Sequence, residues 1–406
     1  MSELAIFGAE KSCNCQWPSW PVHGDEERTA LLEVLESGKW WYGEKVKEFE
    51  SKYAGFQNAK FGVTATSGTT ALEAALDALG IGAGDEVIVP PYTFMATASA
   101  VLRVNAIPIF ADIEPDTFCI DPEDVKRKVT DKTKAIIPVH LGGYVADMDR
   151  LWKIAREHDL YLIEDACHAW GSQWKGKGVG AIGHCGVFSF QASKNINSAE
   201  GGIMLTDDER IADACRSITN CGRSKTGAWY EHHVIGSNLR LTEFQAAILL
   251  AQLTRLESQI IKRMQSVQII EDVLNDAPGI RLTRHDNRMT RRSYHFYPFR
   301  LDMSISRARF IEACEAEGIQ LSPGYTTPLY KNTMFRQEKE GSANCPFSCP
   351  YYGRKIDYSI VKCPVCEEVC NDTCWIPQTM LLADEKNVLA LANGIRKVCE
   401  NAGELV

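Results

Sequence analysis

The segment Asp149-Arg150-Leu151-Trp152-Lys153-Ile154-Ala155-Arg156-Glu157-His158-Asp159-Leu160-Tyr161-Leu162-Ile163-Glu164-Asp165 reads as a helix, Asp149 to His158, running into a short apolar strand, Tyr161 to Ile163. The same alternation precedes it. Thr70 to Leu79 reads as an amphipathic helix, Glu86 to Val89 as a buried strand and Ala96 to Arg103 as a helix. Pro108 to Ala111 then reads as a strand, Asp121 to Lys128 as a helix and Ala135 to Val139 as a strand. Apolar strands separated by helices mark an α/β domain with a mostly parallel sheet. Towards the N-terminus a polar helix spans roughly Glu26 to Ser37 and ends near Gly38. Towards the C-terminus, Leu241 to about Leu274 reads as a long connecting helix, straight or kinked. Beyond it come alternating apolar residues in Tyr294 to Leu301 and a helix from Ser306 to Glu317. The expected organisation is a large α/β domain over residues 1–259, including the N-terminal segment, and a smaller α+β domain over residues 260–406.

Composition limits the function classes. A chain of 406 residues can bury a sizeable core. A formal net charge of -9 argues against nucleic acid or an anionic membrane as the main partner. No apolar run reaches membrane-spanning length. The opening, Met1 to Trp20, lacks the basic region and apolar stretch of a secretory signal, so a cytoplasmic chain is expected. In that reducing setting the 15 cysteines should be mostly free thiols or metal ligands.

Ligands of open parallel sheets bind outside the carboxyl ends of the strands. Asp165 stands at such an end. Further on, Val187-Phe188-Ser189-Phe190-Gln191-Ala192-Ser193-Lys194-Asn195 is an apolar strand, a polar turn and a lysine. A lysine in a partly dry pocket can lose its proton and attack a carbonyl. A carboxylate in the same pocket can hold a pyridinium nitrogen protonated. Alone, the two would read as a surface lysine and a helix cap; their neighbours favour chemistry. Thr64-Ala65-Thr66-Ser67-Gly68-Thr69-Thr70 sets small hydroxyl residues and a glycine at a helix start. That is either a plain N-cap or a cradle for a phosphate dianion. Pro90-Pro91-Tyr92-Thr93-Phe94 follows another strand end and offers an aromatic ring to the crevice or to the core.

Five segments in order resemble the DegT/DnrJ/EryC1/StrS aminotransferases. They are Gly84-Asp85-Glu86-Val87-Ile88-Val89-Pro90, Val139-His140-Leu141, Glu164-Asp165-Ala166-Cys167-His168-Ala169, Ser189 through Glu200-Gly201-Gly202, and Asn238-Leu239-Arg240-Leu241-Thr242-Glu243-Phe244-Gln245-Ala246-Ala247. The resemblance runs from about Trp40 to the C-terminus. It implies the fold type I aminotransferase architecture, pyridoxal 5'-phosphate (PLP) as cofactor, and a homodimer with shared active sites. It implies that Lys194 is the Schiff-base lysine and Asp165 the partner of the pyridine nitrogen. Phe94 matches the position stacked on the ring, and His168 the one beside its 3-oxygen. Ser67, Gly68, Thr69 and Ser189 match the phosphate cup, and Asn238 matches a residue reaching the phosphate from the second protomer. Family dehydratases replace the cofactor lysine with histidine, so Lys194 favours amino transfer over dehydration.

Members act on keto-sugars, usually nucleotide-linked, or on keto-cyclitols. Trp17-Pro18-Ser19-Trp20-Pro21 and Gly38-Lys39-Trp40-Trp41 are similar to the L-glutamine:scyllo-inosose aminotransferase branch, and aminohydroxybenzoate synthases share part of this pattern. The resemblance implies L-glutamate or L-glutamine as donor. A polyhydroxylated acceptor needs polar and aromatic groups at the pocket mouth. Tyr325, Tyr330, His232 and His233 are the candidates for that role, against a reading as ordinary surface residues.

The C-terminal part is rich in cysteine: Cys345, Cys349, Cys363, Cys366, Cys370 and Cys374. The spacing of the last four puts them along one face if the segment is helical. Such spacing serves either a metal or buried apolar packing. Buried thiols and no metal are expected, since members of the family often carry a Cys-Pro-Val step here.

Overall fold

The computed structural model describes residues 3–228, 230–335 and 346–406. Its seven-stranded sheet is built from β1 (Phe61–Ala65), β2 (Glu86–Val89), β3 (Ile107–Phe110), β4 (Thr133–Ile136), β5 (Tyr161–Asp165), β6 (Cys185–Ser189) and β7 (Gly202–Thr206). The order across the sheet is β1-β7-β6-β5-β4-β2-β3. β7 runs antiparallel to β1 and β6, and the other pairings are parallel. This is a mostly parallel α/β sheet of the fold type I kind.

Successive residues of a strand point to opposite faces. Val87 and Val89 join one apolar cluster while Ile88 joins another. Ala135 against Ile136, Ile163 against Leu162, and Val187 against Phe188 divide the same way. Helices cover both faces, as a doubly buried parallel sheet requires. The helices, in chain order, are α1 (Asp25–Ser37), α2 (Glu44–Phe56), α3 (Gly68–Ala78), α4 (Ala96–Arg103), α5 (Pro122–Lys128), α6 (Met148–Glu157), α7 (Glu209–Thr219), α8 (Glu243–Leu274), α9 (Arg307–Ala316), α10 (Pro364–Asp372) and α11 (Glu385–Glu400). α3, α4 and α7 contribute to the first cluster; α2, α5, α6 and the first half of α8 contribute to the second. α8 is a single 32-residue helix whose N-cap Thr242 exchanges hydrogen bonds with Gln245 in a capping box. β4 is shorter than the sequence pattern suggests. It stops at Ile136, just before Pro138, which has no N–H to give to a neighbour.

A second, three-stranded sheet contains β8 (Ile280–Leu282), β9 (Phe296–Leu301) and β10 (Thr373–Pro377), with β9 central and both pairings antiparallel. It shares a third apolar cluster with the second half of α8, α9 and α11. Leu4 and Cys13, from the start of the chain, also pack there.

The cysteine-rich stretch is only partly helical. Cys366 and Cys370 lie on α10, Cys363 is its N-cap, and Cys374 belongs to β10. The four therefore do not share one helical face, because the helix stops before Cys374. Cys363, Cys366 and Cys370 pack in the first cluster and Cys374 in the third. Burial pushes the Cys374 thiol up to about 12. No trio of His, Cys, Asp or Glu among the described residues is arranged to hold a metal ion. Cys345 lies outside the described residues. Cys13 and Cys15 are joined as a disulfide, and twelve other described cysteines are free.

Candidate active site

β5 ends in two adjacent carboxylates with opposite duties. Glu164 is fully buried. It accepts hydrogen bonds from the backbone N–H groups of Gly180 (2.7 Å), Ile182 (2.7 Å) and Gly183 (2.6 Å), and pairs with His140 Nε2 at 2.9 Å. Leaving one such buried N–H unpaired costs ~1–3 kcal/mol, so Glu164 fixes the turn that leads into β6. Asp165 faces the other way, into a cavity of about 750 Å³. Thr97 Oγ1 donates to Asp165 Oδ2 at 2.7 Å, and the Cys167 N–H donates to Oδ1 at 3.2 Å. Thr93 and Thr97 hydroxyls lie 3.1 Å apart, which extends this support to the loop ahead of α4.

Lys194 lies in the loop after β6 and lines the same cavity. Its N–H donates to the Gln191 carbonyl at 2.8 Å, and Ala192 N–H to the Ala199 carbonyl at 2.9 Å. Its ammonium group stands 5.8 Å from the centre of the Trp170 ring. Burial lowers the Lys194 pKa, against the pull of Cys167 and Asp165, which favour the charged form. A lysine so placed loses its proton more easily and becomes a nucleophile or base.

Ser67, Gly68, Thr69 and Ser189 meet in the same wall. Ser67 caps α3 by accepting the Thr70 N–H at 3.1 Å. An added Cβ on Gly68 would come within 2.8 Å of Ser189 Cβ and 3.0 Å of Cys167 Sγ. Only glycine allows the helix start to sit this close to the end of β6. The cradle thus offers hydroxyls, unpaired first-turn N–H groups and the positive end of α3, which suit a phosphate.

His168 is buried, and its Nδ1 has no hydrogen-bond partner among the described residues. Its ring stacks at 4.6 Å from His295, with the planes tilted by 40°. Burial, Lys194 and His295 together hold His168 well below the usual histidine range, so it is neutral at pH 7. A phosphate cradle, a carboxylate at a strand end, a depressed lysine and an orphaned histidine nitrogen share one cavity. These residues fit a flat heteroaromatic ring with a phosphate tail and a ring nitrogen.

The other predicted residues fall into three groups. Phe94 and Tyr325 line the cavity; Phe94 is 57% exposed. Burial, then Asp165 and Cys167, raises the Tyr325 hydroxyl pKa, so it remains a proton donor. The preceding Gly324 has φ +65°, and a Cβ there would lie 2.7 Å from the Trp375 ring. Tyr330 requires a correction. It is 2% exposed, its hydroxyl donates to Glu367 at 2.6 Å, and it packs with Phe110 away from the cavity. Its aromatic ring is recruited by the core instead of the pocket mouth. His232, His233 and Asn238 lie in an exposed segment and do not line this chain's own cavity.

Sequence reasoning misses His295, Trp375 and Gln378, which also line the cavity. They are delivered by β9 and β10, whose pairing sets Phe296 opposite Pro377. The Trp375 ring stacks on Phe296 at 3.8 Å. No local motif marks these residues, because their position comes from pairing between strands far apart in sequence. Trp20, within the Trp17–Pro21 motif, donates its Nε1 hydrogen to the Ala192 carbonyl at 3.0 Å, which brings the N-terminal segment over the Lys194 loop.

A sequence model of the DegT/DnrJ/EryC1/StrS aminotransferase family matches residues 21–357. The chain is 35% identical over 431 residues to the L-glutamine:scyllo-inosose aminotransferase of Streptomyces griseus, covering 100% of this chain and 99% of that one. Its fold is similar to the crystal structure of 3-amino-5-hydroxybenzoic acid synthase, with a TM-score of 0.86, 32% identity, and 96% and 99% of the two chains covered. It is also similar to Bacillus subtilis NtdA with bound cofactor PMP, with a TM-score of 0.79, 25% identity, and 93% and 82% covered.

Proposed function

The chain belongs to the DegT/DnrJ/EryC1/StrS aminotransferase family and is a PLP-dependent aminotransferase; from that premise we propose that it moves the amino group of L-glutamine or L-glutamate onto a keto-cyclitol. The observation that carries this reading is the meeting of Lys194, Asp165 and the Ser67–Thr69 cradle in one cavity. The scyllo-inosose relative, matched over its whole length, supports the acceptor class.

When bound, the cofactor supplies an electron sink for the carbon that loses its proton. Ser67, Gly68, Thr69 and Ser189 would hold its phosphate. Asp165, kept in place by Thr97 and the Cys167 N–H, would hold the ring nitrogen protonated. The neutral His168 would offer Nδ1 at the ring edge, and Phe94 would cover a ring face. Lys194 would hold the cofactor through Nζ and then, as a free amine, take up on Nζ the proton that leaves the donor's α-carbon. Tyr325 would donate to an acceptor hydroxyl or carbonyl oxygen. We assign the large domain to residues up to about 259, with the first residues of the chain packed on the smaller C-terminal domain, consistent with Leu4 and Cys13 in the third cluster. A cytoplasmic location is part of this reading; among the described residues no helix is long and apolar enough to cross a membrane.

The deciding experiment converts the cofactor to its amino form with L-glutamine and then offers keto-cyclitols and nucleotide-linked keto-sugars. Scyllo-inosose, or a deoxy relative, should restore the near-visible absorption of the holoenzyme. Recovery with nucleotide-linked sugars alone would reject the cyclitol acceptor. The dehydratase alternative predicts no donor-dependent turnover at all.

The homodimer is part of the same proposal. Asn238 would reach the phosphate of the partner's site, and exposed Trp41, Phe94 and Ile235 offer apolar surface near that segment and the cavity mouth. Two variants, Lys194→Ala and Asn238→Ala, should each have little activity alone. When mixed and re-paired at random, about half the dimers are hybrids with one intact site each, so roughly a quarter of wild-type activity should return. No recovery after verified subunit exchange would confine Asn238 to its own chain, as a structural residue ahead of α8.

A further inference from the structure

Arg263, on α8, is completely buried. An arginine keeps its charge in proteins, so a buried one normally has a carboxylate beside it. Among the described residues Arg263 makes no ion pair. Its Nε and Nη1 have no hydrogen-bond partner. Its Nη2 donates to Gln378 Oε1 at 2.5 Å, and its guanidinium lies 5.7 Å from the centre of the Trp20 ring. Gln378 and Trp20 both line the active-site cavity. The unpaired charge therefore stands directly behind the cavity wall.

A guanidinium can only donate, which fixes the Gln378 side chain with its oxygen turned to Arg263. The amide nitrogen is left free to donate towards the cavity. A donor backed by an uncompensated positive charge suits an anion. The cofactor phosphate already has its own cradle at the start of α3. A keto-cyclitol carries no carboxylate and gains little from a buried cation. An α-amino acid always carries a carboxylate on the carbon that bears its amine. His295, also in the cavity wall, has its pKa lowered first by burial and then by both Lys194 and Arg263, so the field of Arg263 reaches the group beside the lysine.

We infer that Gln378, oriented by Arg263, forms the subsite for the α-carboxylate of the amino donor. This rests on the proposed amino-acid donor. Gln378 touches the carboxylate, and Arg263 is a positioning residue that also supplies charge. Trp20 covers the guanidinium and keeps water from competing for it.

L-glutamine is the suitable probe, because its only carboxylate is the α one; its α-amide is the matched control. The rate of loss of near-visible absorption is measured for the holoenzyme with each. A hydrogen bond to a charged group is worth ~1.5–3 kcal/mol, so wild type should prefer L-glutamine by roughly 10- to 150-fold. Gln378→Leu and Arg263→Met should reduce that preference to about threefold or less. Arg263→Met removes a buried cation and could disturb folding, so Gln378→Glu supplies the control. Its carboxylate would pair with Arg263, keep the melting temperature at or above wild type, and occupy the charge. It should fold well, keep its cofactor, and still lose the preference for L-glutamine over the α-amide. A structural role alone would leave Gln378→Glu with the preference intact, and that result overturns the assignment. So does a wild-type enzyme that treats the two compounds alike. If wild type reacts with no α-amino acid, the proposed donor itself falls, and this subsite with it.

Discussion

Lys194→Ala should lower turnover by ~10³-fold or more, because one residue is asked both to hold the cofactor and to carry the proton. Burial lowers the Lys194 pKa, so a larger share of the amine is free near neutral pH than for an exposed lysine. Among the described residues no second lysine lines the cavity to take over. The variant should keep cofactor non-covalently, since the cradle at the start of α3 and the Asp165 carboxylate are untouched. Borohydride treatment of the wild-type holoenzyme should attach cofactor at Lys194, identified by peptide mass. Label on another lysine would remove Lys194 from this role. Lys194→Arg should also be inactive, because a guanidinium does not give up its proton near neutral pH.

Asp165→Asn should fold, bind cofactor, and lose about 10²- to 10³-fold in the chemical step, the size seen when one preorganised electrostatic partner is removed. The substitution is nearly isosteric. The asparagine oxygen can keep the Cys167 N–H while its amide donates to Thr97 Oγ1, whose own hydrogen turns to Thr93, so the local structure has little reason to move. What disappears is the negative charge that keeps a ring nitrogen protonated. That interaction strengthens as charge develops on the reacting carbon, so the loss belongs in single-turnover rate more than in donor affinity. Single-turnover rates within a few-fold of wild type would refute the role. A large loss confined to donor affinity would refute it equally.

The sheet was legible because its strands, buried on both faces, are apolar runs set between helices. Glu86 to Val89 and Tyr161 to Asp165 are short apolar runs between helices, and their ends mark where ligands bind. That Asp165 and Lys194 share one cavity was legible for the same reason: both follow strand ends in the sequence. α2 was harder to see. Its buried Phe49 and Tyr53 are spaced among charged residues, most of which face water, and one of which, Glu50, is buried with them. β7 hides behind its glycines and runs against its neighbours, so the β–α alternation does not announce it. The wall opposite the sheet was not legible. His295, Trp375 and Gln378 converge only once β9 pairs with β10, and sequence spacing says nothing about that register. Tyr330 failed as a candidate because an aromatic beside Glu367 and Phe110 has a better place in the core than at a pocket mouth.

The back-to-back carboxylates of β5 separate what must stay constant from what is free to change. Glu164 clamps the 180–183 turn through three backbone N–H groups, and Asp165 is held by Thr97 and the Cys167 N–H, all on the sheet side of the cavity. The wall that would touch substrate hangs instead on side chains from β9, β10 and the N-terminal segment. Substitutions there leave the clamp intact. A lineage, or an engineer, can therefore retool this enzyme for new acceptors by drifting through positions such as Tyr325 and Trp375 without first dismantling the reaction centre.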